Sequence, residues 1–229
     1  MKRFNILLAL LLVVAFSGFV FAGSGKGEEA LQKLMDGNKR FVSGNLATKD
    51  LGDTKRKELA KGQKPFATVI TCSDSRVPPE LLFDQGLGDI FVVRVAGNVV
   101  DPIALGSIEY AAEHLHAPLL FILGHEKCGA VAATIESKGK PEGNIGAIVR
   151  KITPAAVTAK KKGGTKDEIL ETAIQENVKN VYKDIMKKSE VIKHLAKEGE
   201  VKIVAGEYSL TTGEVKMIEL PKVASKEAH

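Results

Sequence analysis

The chain has 229 residues, enough for one domain and its appendages, since two full domains would need about 100–200 residues each. Hydrophobic residues make up 44% and charged residues 27%, which excludes disordered, collagen-like and fibrous classes, and two cysteines exclude a disulfide-dense scaffold. The net charge of +5 is too small and too dispersed to point to nucleic acid.

Lys2 and Arg3 precede an apolar stretch from Ile6 to Phe16, and Val20-Phe21-Ala22 offers a small-residue cleavage site before Gly23. This pattern predicts a secretory signal peptide over residues 1–22 and an exported, periplasmic protein. The competing reading is an uncleaved anchor. Phe4 to Ala22 is nearly long enough to cross a bilayer, but Ser17 and Gly18 interrupt it. After cleavage no stable membrane span is expected, and the net charge falls to +3 with the loss of Lys2 and Arg3. Residues 23–229 show no internal repeat and no dividing linker, so they are expected to form a single domain.

Glu28 to Val42 carries apolar residues at Leu31, Leu34, Met35, Phe41 and Val42, which predicts an amphipathic helix interrupted near Gly37. Asn45 to Lys64 is polar and reads as loop, with some helix around Lys55 to Lys61. Phe66 to Thr71 is a short apolar, β-branched run and predicts a buried strand. Pro78-Pro79 ends that segment and opens a short helix through Phe83. Ile90 to Val95 is the second strand. Asp101 followed by Pro102 is an N-cap and first helical position for a helix to His116, with Ala104, Ile108, Ala111 and Leu115 on one face. Leu119 to Leu123 is the third strand, and Gly129 to Ser137 a further helix. Gly143 to Gly199 reads as helical, with breaks at Pro154 and Gly163-Gly164 and an N-cap at Ser189. Val201 to Ala205 is a late strand that turns at Thr212-Gly213 into Val215 to Leu220. Strands alternating with helices predict an α/β fold with a mostly parallel central sheet flanked by helices, carrying an N-terminal helical arm.

The chemistry collects where two of these strands end. The first runs out into Cys72-Ser73-Asp74-Ser75-Arg76, and the third through Gly124 into His125-Glu126-Lys127-Cys128. Ligands of open parallel sheets bind outside the carboxyl ends of the strands. Two cysteines and one histidine there are a standard zinc environment. Asp74 can supply a fourth contact or stand beside it, and Arg76 can hold Asp74 in a bidentate pair. Other readings exist for each residue. The cysteines of an exported protein can pair as a disulfide, His125 can be a hydrogen-bonded core residue, and Asp74 can serve only a turn. The placement of all four at strand ends favours ligation. Cys-x-x-Cys redox chemistry is excluded by the distance between the cysteines in sequence.

Cys72 to Arg76 and His125-x-x-Cys128-Gly129 resemble the two signature motifs of the β-class carbonic anhydrases. Leu34 to Gly44, Arg76 to Gln85, Phe91 to Asp101, Gly106 to His114, Gly124 to Val131 and the late Val204 to Tyr208 resemble the family in the same order. The likeness spans about Glu28 to Glu219. It implies Zn²⁺ held by Cys72, His125 and Cys128, with water or Asp74 as the fourth ligand. It also implies reversible hydration of carbon dioxide to bicarbonate, with Asp74 and Arg76 as catalytic residues. Gln85, Gly97 and Gly129 are the expected substrate-binding positions. The resemblance further implies a homodimer or a higher even-numbered oligomer, with the N-terminal arm packed over the partner because it lacks a core of its own. Two alternatives use the same scaffold: hydrolysis of carbonyl sulfide or carbon disulfide, and zinc binding without turnover.

Overall fold

The computed structural model describes residues 25–137 and 143–221. The expected signal peptide at residues 1–22 lies outside the described residues. Five strands form one sheet in the order β2-β1-β3-β4-β5. β1 (Ala67–Thr71), β2 (Ile90–Arg94), β3 (Leu119–His125) and β4 (Lys202–Tyr208) run parallel, and β5 (Val215–Ile218) closes antiparallel on β4. β1 and β3 are buried along their whole length, as central parallel strands covered on both faces must be. Thr71 pairs with Arg94 on one side and Leu123 on the other, so β1, β2 and β3 deliver their carboxyl ends to one edge.

The helices are α1 (Lys26–Ser43), α2 (Asp53–Leu59), α3 (Pro79–Leu82), α4 (Pro102–Glu113), α5 (Gly129–Glu136), α6 (Ile145–Lys162), α7 (Lys166–Lys188) and α8 (Glu190–Lys197). α1 covers one face, where Ala30 and Leu34 pack with Val69, Phe83 and Phe121. α4, α7 and α8 cover the other, where Ile108, Val178, Ile185 and Ile192 meet Ile70 and Ile122. A third apolar cluster, with Val99, Val131, Ile152 and Ile174, surrounds Cys72 and Cys128. Local chemistry matches the helix starts. Asp101 accepts a hydrogen bond from the Ala104 N–H at 2.8 Å, and Ser189 accepts one from Ile192 at 3.1 Å. Thr165 and Glu168 form a reciprocal capping box at the start of α7.

The structure departs from the sequence reading at three places. α1 runs unbroken through Gly37. A Cβ there would lie 1.8 Å from the carbonyl oxygen of Phe83, so this glycine permits a close helix approach rather than a break. α6 continues through Pro154, which is exposed. The carbonyl of Arg150 that loses its donor therefore lies on the wet side, while Ile152, Ala155, Ala156 and Ala159 keep the opposite side packed. The arm also has a core within its own chain. Leu34 is fully buried, worth about 1.5–3 kcal/mol. Buried Asn38 stitches the arm to the hairpin, donating to the carbonyls of Leu82 and Gly213 and accepting from the Val215 N–H.

Candidate metal centre

Cys72 follows β1, His125 ends β3, and Cys128 caps α5. Lys127, at φ 53°, makes the tight reversal that brings Cys128 back beside His125. The sulfurs of Cys72 and Cys128 and a ring nitrogen of His125 all lie within 4.8 Å of one another. All three residues are buried, and the cysteines are free thiols rather than a disulfide.

The hydrogen bonds around His125 decide which nitrogen is available. Nδ1 lies 2.8 Å from the carbonyl oxygen of Glu126. A carbonyl only accepts, so Nδ1 carries the proton and Nε2 carries the lone pair. Nε2 is buried with no hydrogen-bond partner. An acceptor stranded in the interior costs about 1–3 kcal/mol, and a ligated cation removes that cost. The Glu126 carboxylate is itself fixed by the hydroxyls of Ser209 and Thr211 and by the Thr211 N–H. A backbone carbonyl behind the ring is one of the usual outer partners of a metal-ligating histidine.

The thiols are coupled. A hydrogen bond from Cys128 pulls the Cys72 thiol down to about 4, and the Gly97 N–H and an Asp74 backbone contact act in the same direction against burial. Gly97 donates to the Cys72 sulfur at 3.2 Å. Cys128 moves the opposite way because it donates to Cys72 and is buried, while the N–H groups of Ala130 and Val131 in the first turn of α5 pull against that rise. Two thiolate-forming sulfurs and one imidazole lone pair fit zinc in both softness and number.

Asp74 stands beside this group. The Arg76 side chain grips both of its carboxylate oxygens, Nε to Oδ1 at 2.9 Å and Nη2 to Oδ2 at 2.8 Å, and the Arg76 N–H adds a third bond to Oδ1. These bonds hold its carboxyl well below the usual carboxylate range. Asp74 Oδ2 is 3.9 Å from His125 Nε2. The expected substrate residues have separate locations. Gly97 touches Cys72. Gly129 opens α5 next to Cys128, with nothing within 4 Å of a Cβ placed on it. Gln85 is buried under α1, where its Nε2 donates to the Phe83 carbonyl and lies 2.8 Å from where a Gly37 Cβ would be.

Two residues that sequence reading passed over complete the frame. Arg94, at the end of β2, donates Nε to the Cys72 carbonyl at 3.0 Å and Nη2 to the Asp74 carbonyl. Asn177 of α7, 1% exposed, donates to the Gly97 carbonyl at 2.8 Å. Arg94 lies within one of the segments that carry the family likeness, and its charge at a strand end was a usable signal; Asn177 had none.

A family model described as carbonic anhydrase matches residues 67–215. A carbonic anhydrase of Mycolicibacterium smegmatis is 41% identical over 192 residues, covering 82% of this chain and 91% of that protein. Carbonic anhydrase 2 of Mycobacterium tuberculosis is 39% identical over 187 residues, covering 80% of this chain and 89% of that one. Among solved structures, a β-carbonic anhydrase of Aspergillus fumigatus superposes with a TM-score of 0.67 at 27% identity, covering 87% of this chain and 93% of that chain.

Proposed function

This chain belongs to the β-carbonic anhydrase family, and on that premise we propose that it is a zinc enzyme that hydrates carbon dioxide reversibly to bicarbonate and a proton. The observation that carries the reading is the buried Cys72–His125–Cys128 group beside an Asp74 already paired with Arg76. Cys72, His125 Nε2 and Cys128 would hold the metal. When bound, zinc supplies the electrostatic acidity by which water becomes a nucleophile near neutral pH.

The chain's own groups do the rest. Asp74 stays ionised because Arg76 stabilises its charged form, so it is an acceptor and not a donor. It accepts the hydrogen of the attacking oxygen and turns a lone pair toward the carbon of the substrate. Arg76 fixes the carboxylate from the side, and Arg94 fixes the backbone on either side of Ser73. The Gly97 N–H and the first turn of α5 stabilise charge on the two sulfurs. Val131 and Ile152 make a dry wall suited to an apolar triatomic substrate. Open space at Gly129 leaves room for it.

The proposal extends to assembly and place. A homodimer or higher even-numbered oligomer is supported by apolar surface at the β2 edge. Ile90, Phe91 and Val92 are only partly buried there, and Ile103 on the neighbouring α4 is 81% exposed. Export to the periplasm is supported by the basic start, the apolar run and Ala22. No described helix is long and apolar enough to cross a membrane. Stopped-flow assay of carbon dioxide hydration, run beside carbonyl sulfide hydrolysis, tests the reaction. Faster turnover of carbon dioxide supports the proposal, and turnover of carbonyl sulfide alone would replace it.

A further inference from the structure

A cavity of about 360 Å³ opens between α6 and α7, outside the metal centre. That volume lies at the small end of ligand pockets, which run about 300–1,000 Å³. Its floor is Val99 and Val100, both nearly fully buried. Four cations line it: Arg150 and Lys151 from α6, and Lys183 and Lys188 from α7. Asp184 is the one carboxylate in the lining, and it is already shared. Lys151 lies 3.0 Å and Lys188 2.6 Å from the same oxygen, Oδ2. Arg150 and Lys183 have no hydrogen bond or ion pair among the described residues. The cleft therefore holds three positive charges beyond its single negative one, facing each other across two packed helices. Asn180 adds an amide to the same lining.

The geometry points to a binding site for a phosphoryl group, free or esterified to a small organic molecule, held by Arg150 and Lys183 over the Val99–Val100 floor. A planar guanidinium matches two phosphate oxygens, and the lysines add point charges. A multiply charged anion fits this excess better than a singly charged one. The apolar floor gives the organic part of an ester a place to lie. The cleft reaches the metal centre through two hydrogen bonds. Asn177, which also lines it, donates to the Gly97 carbonyl, and Gly97 donates to the Cys72 sulfur. Occupancy is therefore felt at the Gly97 amide. The site itself does not rest on the proposed reaction.

Titration of the zinc-loaded full chain with inorganic phosphate and with glycerol phosphate, followed by calorimetry and by amide NMR, tests this. Chloride at matched ionic strength and bicarbonate serve as comparison anions. Saturable binding of either phosphate compound is expected, with a shifted Gly97 amide and at least tenfold weaker binding in Arg150→Gln/Lys183→Gln. Both positions are exposed, so that variant should keep its fold and its activity without phosphate. Tighter binding of the ester than of inorganic phosphate would place its organic part on the apolar floor. No saturation by either compound at millimolar concentration, equal binding by chloride or bicarbonate, or unchanged binding in the double variant would overturn the proposal.

Discussion

The Gly97 N–H donates a 3.2 Å hydrogen bond to the sulfur of Cys72. It joins the turn after β2 to the first residue after β1, so the backbone at one strand end helps to stabilise negative charge on a candidate metal ligand at another. Gly97 sits at φ 66°, and a Cβ there would lie 2.6 Å from Ile152 Cδ1 and 3.2 Å from Ala130 Cβ. Gly97→Ala should therefore cost about 1–3 kcal/mol from overpacking, with a further penalty for the positive φ. Urea unfolding checks this. Pairing it with Ile152→Val should recover the part due to Ile152 Cδ1 and leave the Ala130 contact and the backbone part.

Asp74→Asn separates catalysis from metal binding. The amide keeps the shape of the carboxylate but loses its charge and one acceptor oxygen. Zinc content should stay near that of the parent while carbon dioxide hydration falls about 10²–10⁴-fold. Metal analysis and stopped-flow on the same sample read both quantities. Near-parental turnover would remove Asp74 from the mechanism.

Arg94→Ala removes the two donors that hold the Cys72 and Asp74 carbonyls. Partners one step behind a metal ligand typically cost about 10–100-fold in affinity or activity when lost. Zinc affinity measured against a competing chelator should fall by that order. Arg94→Lys, a single point donor in place of a fork, should recover only part of it.

Glu207 gives a pH signature of its own. Burial, then the neighbouring Glu171, pushes its carboxyl up to about 8, with Glu126 adding to the rise and Gln175 opposing it. Its Oε1 is buried without a partner. A carboxyl whose folded value is raised stabilises the fold below its unfolded value of about 4.3, and that contribution is lost as pH rises toward 8. Glu207→Gln should thus raise the melting temperature at pH 7 to 8 and leave it nearly unchanged near pH 4. Equal shifts at both pH values would contradict the assignment.

Much of this was legible in the chain because it is local. The β-branched run at Ala67–Thr71 and the short apolar run at Leu119–His125 read as buried strands, and Asp101-Pro102 and Ser189 cap helices where they stand. The Cys72, His125 and Cys128 grouping followed from strand ends that share an edge. What was not legible depends on partners distant in sequence. Gly37 and Pro154 look like breaks until the Phe83 carbonyl and the exposed side of α6 are seen. The Arg94 bonds span 20 and 22 residues, and the Asn177 bond spans 80. No local pattern announces contacts of that range. The arm's apolar residues suggested a partner subunit, yet Ala30 and Leu34 are covered by Val69, Phe83 and Phe121 of the same chain.

On the proposed function, one metal ion on Cys72, His125 and Cys128 makes this chain a carbon dioxide hydratase. Stripped protein titrated with zinc, with hydration rate read at each addition, tests it most directly. The rate should climb linearly and break at one zinc per chain in the parent, and stay near background throughout in Cys128→Ser. A parent that binds one zinc per chain without gaining hydration, or a Cys128→Ser variant with the parental curve, would contradict the account.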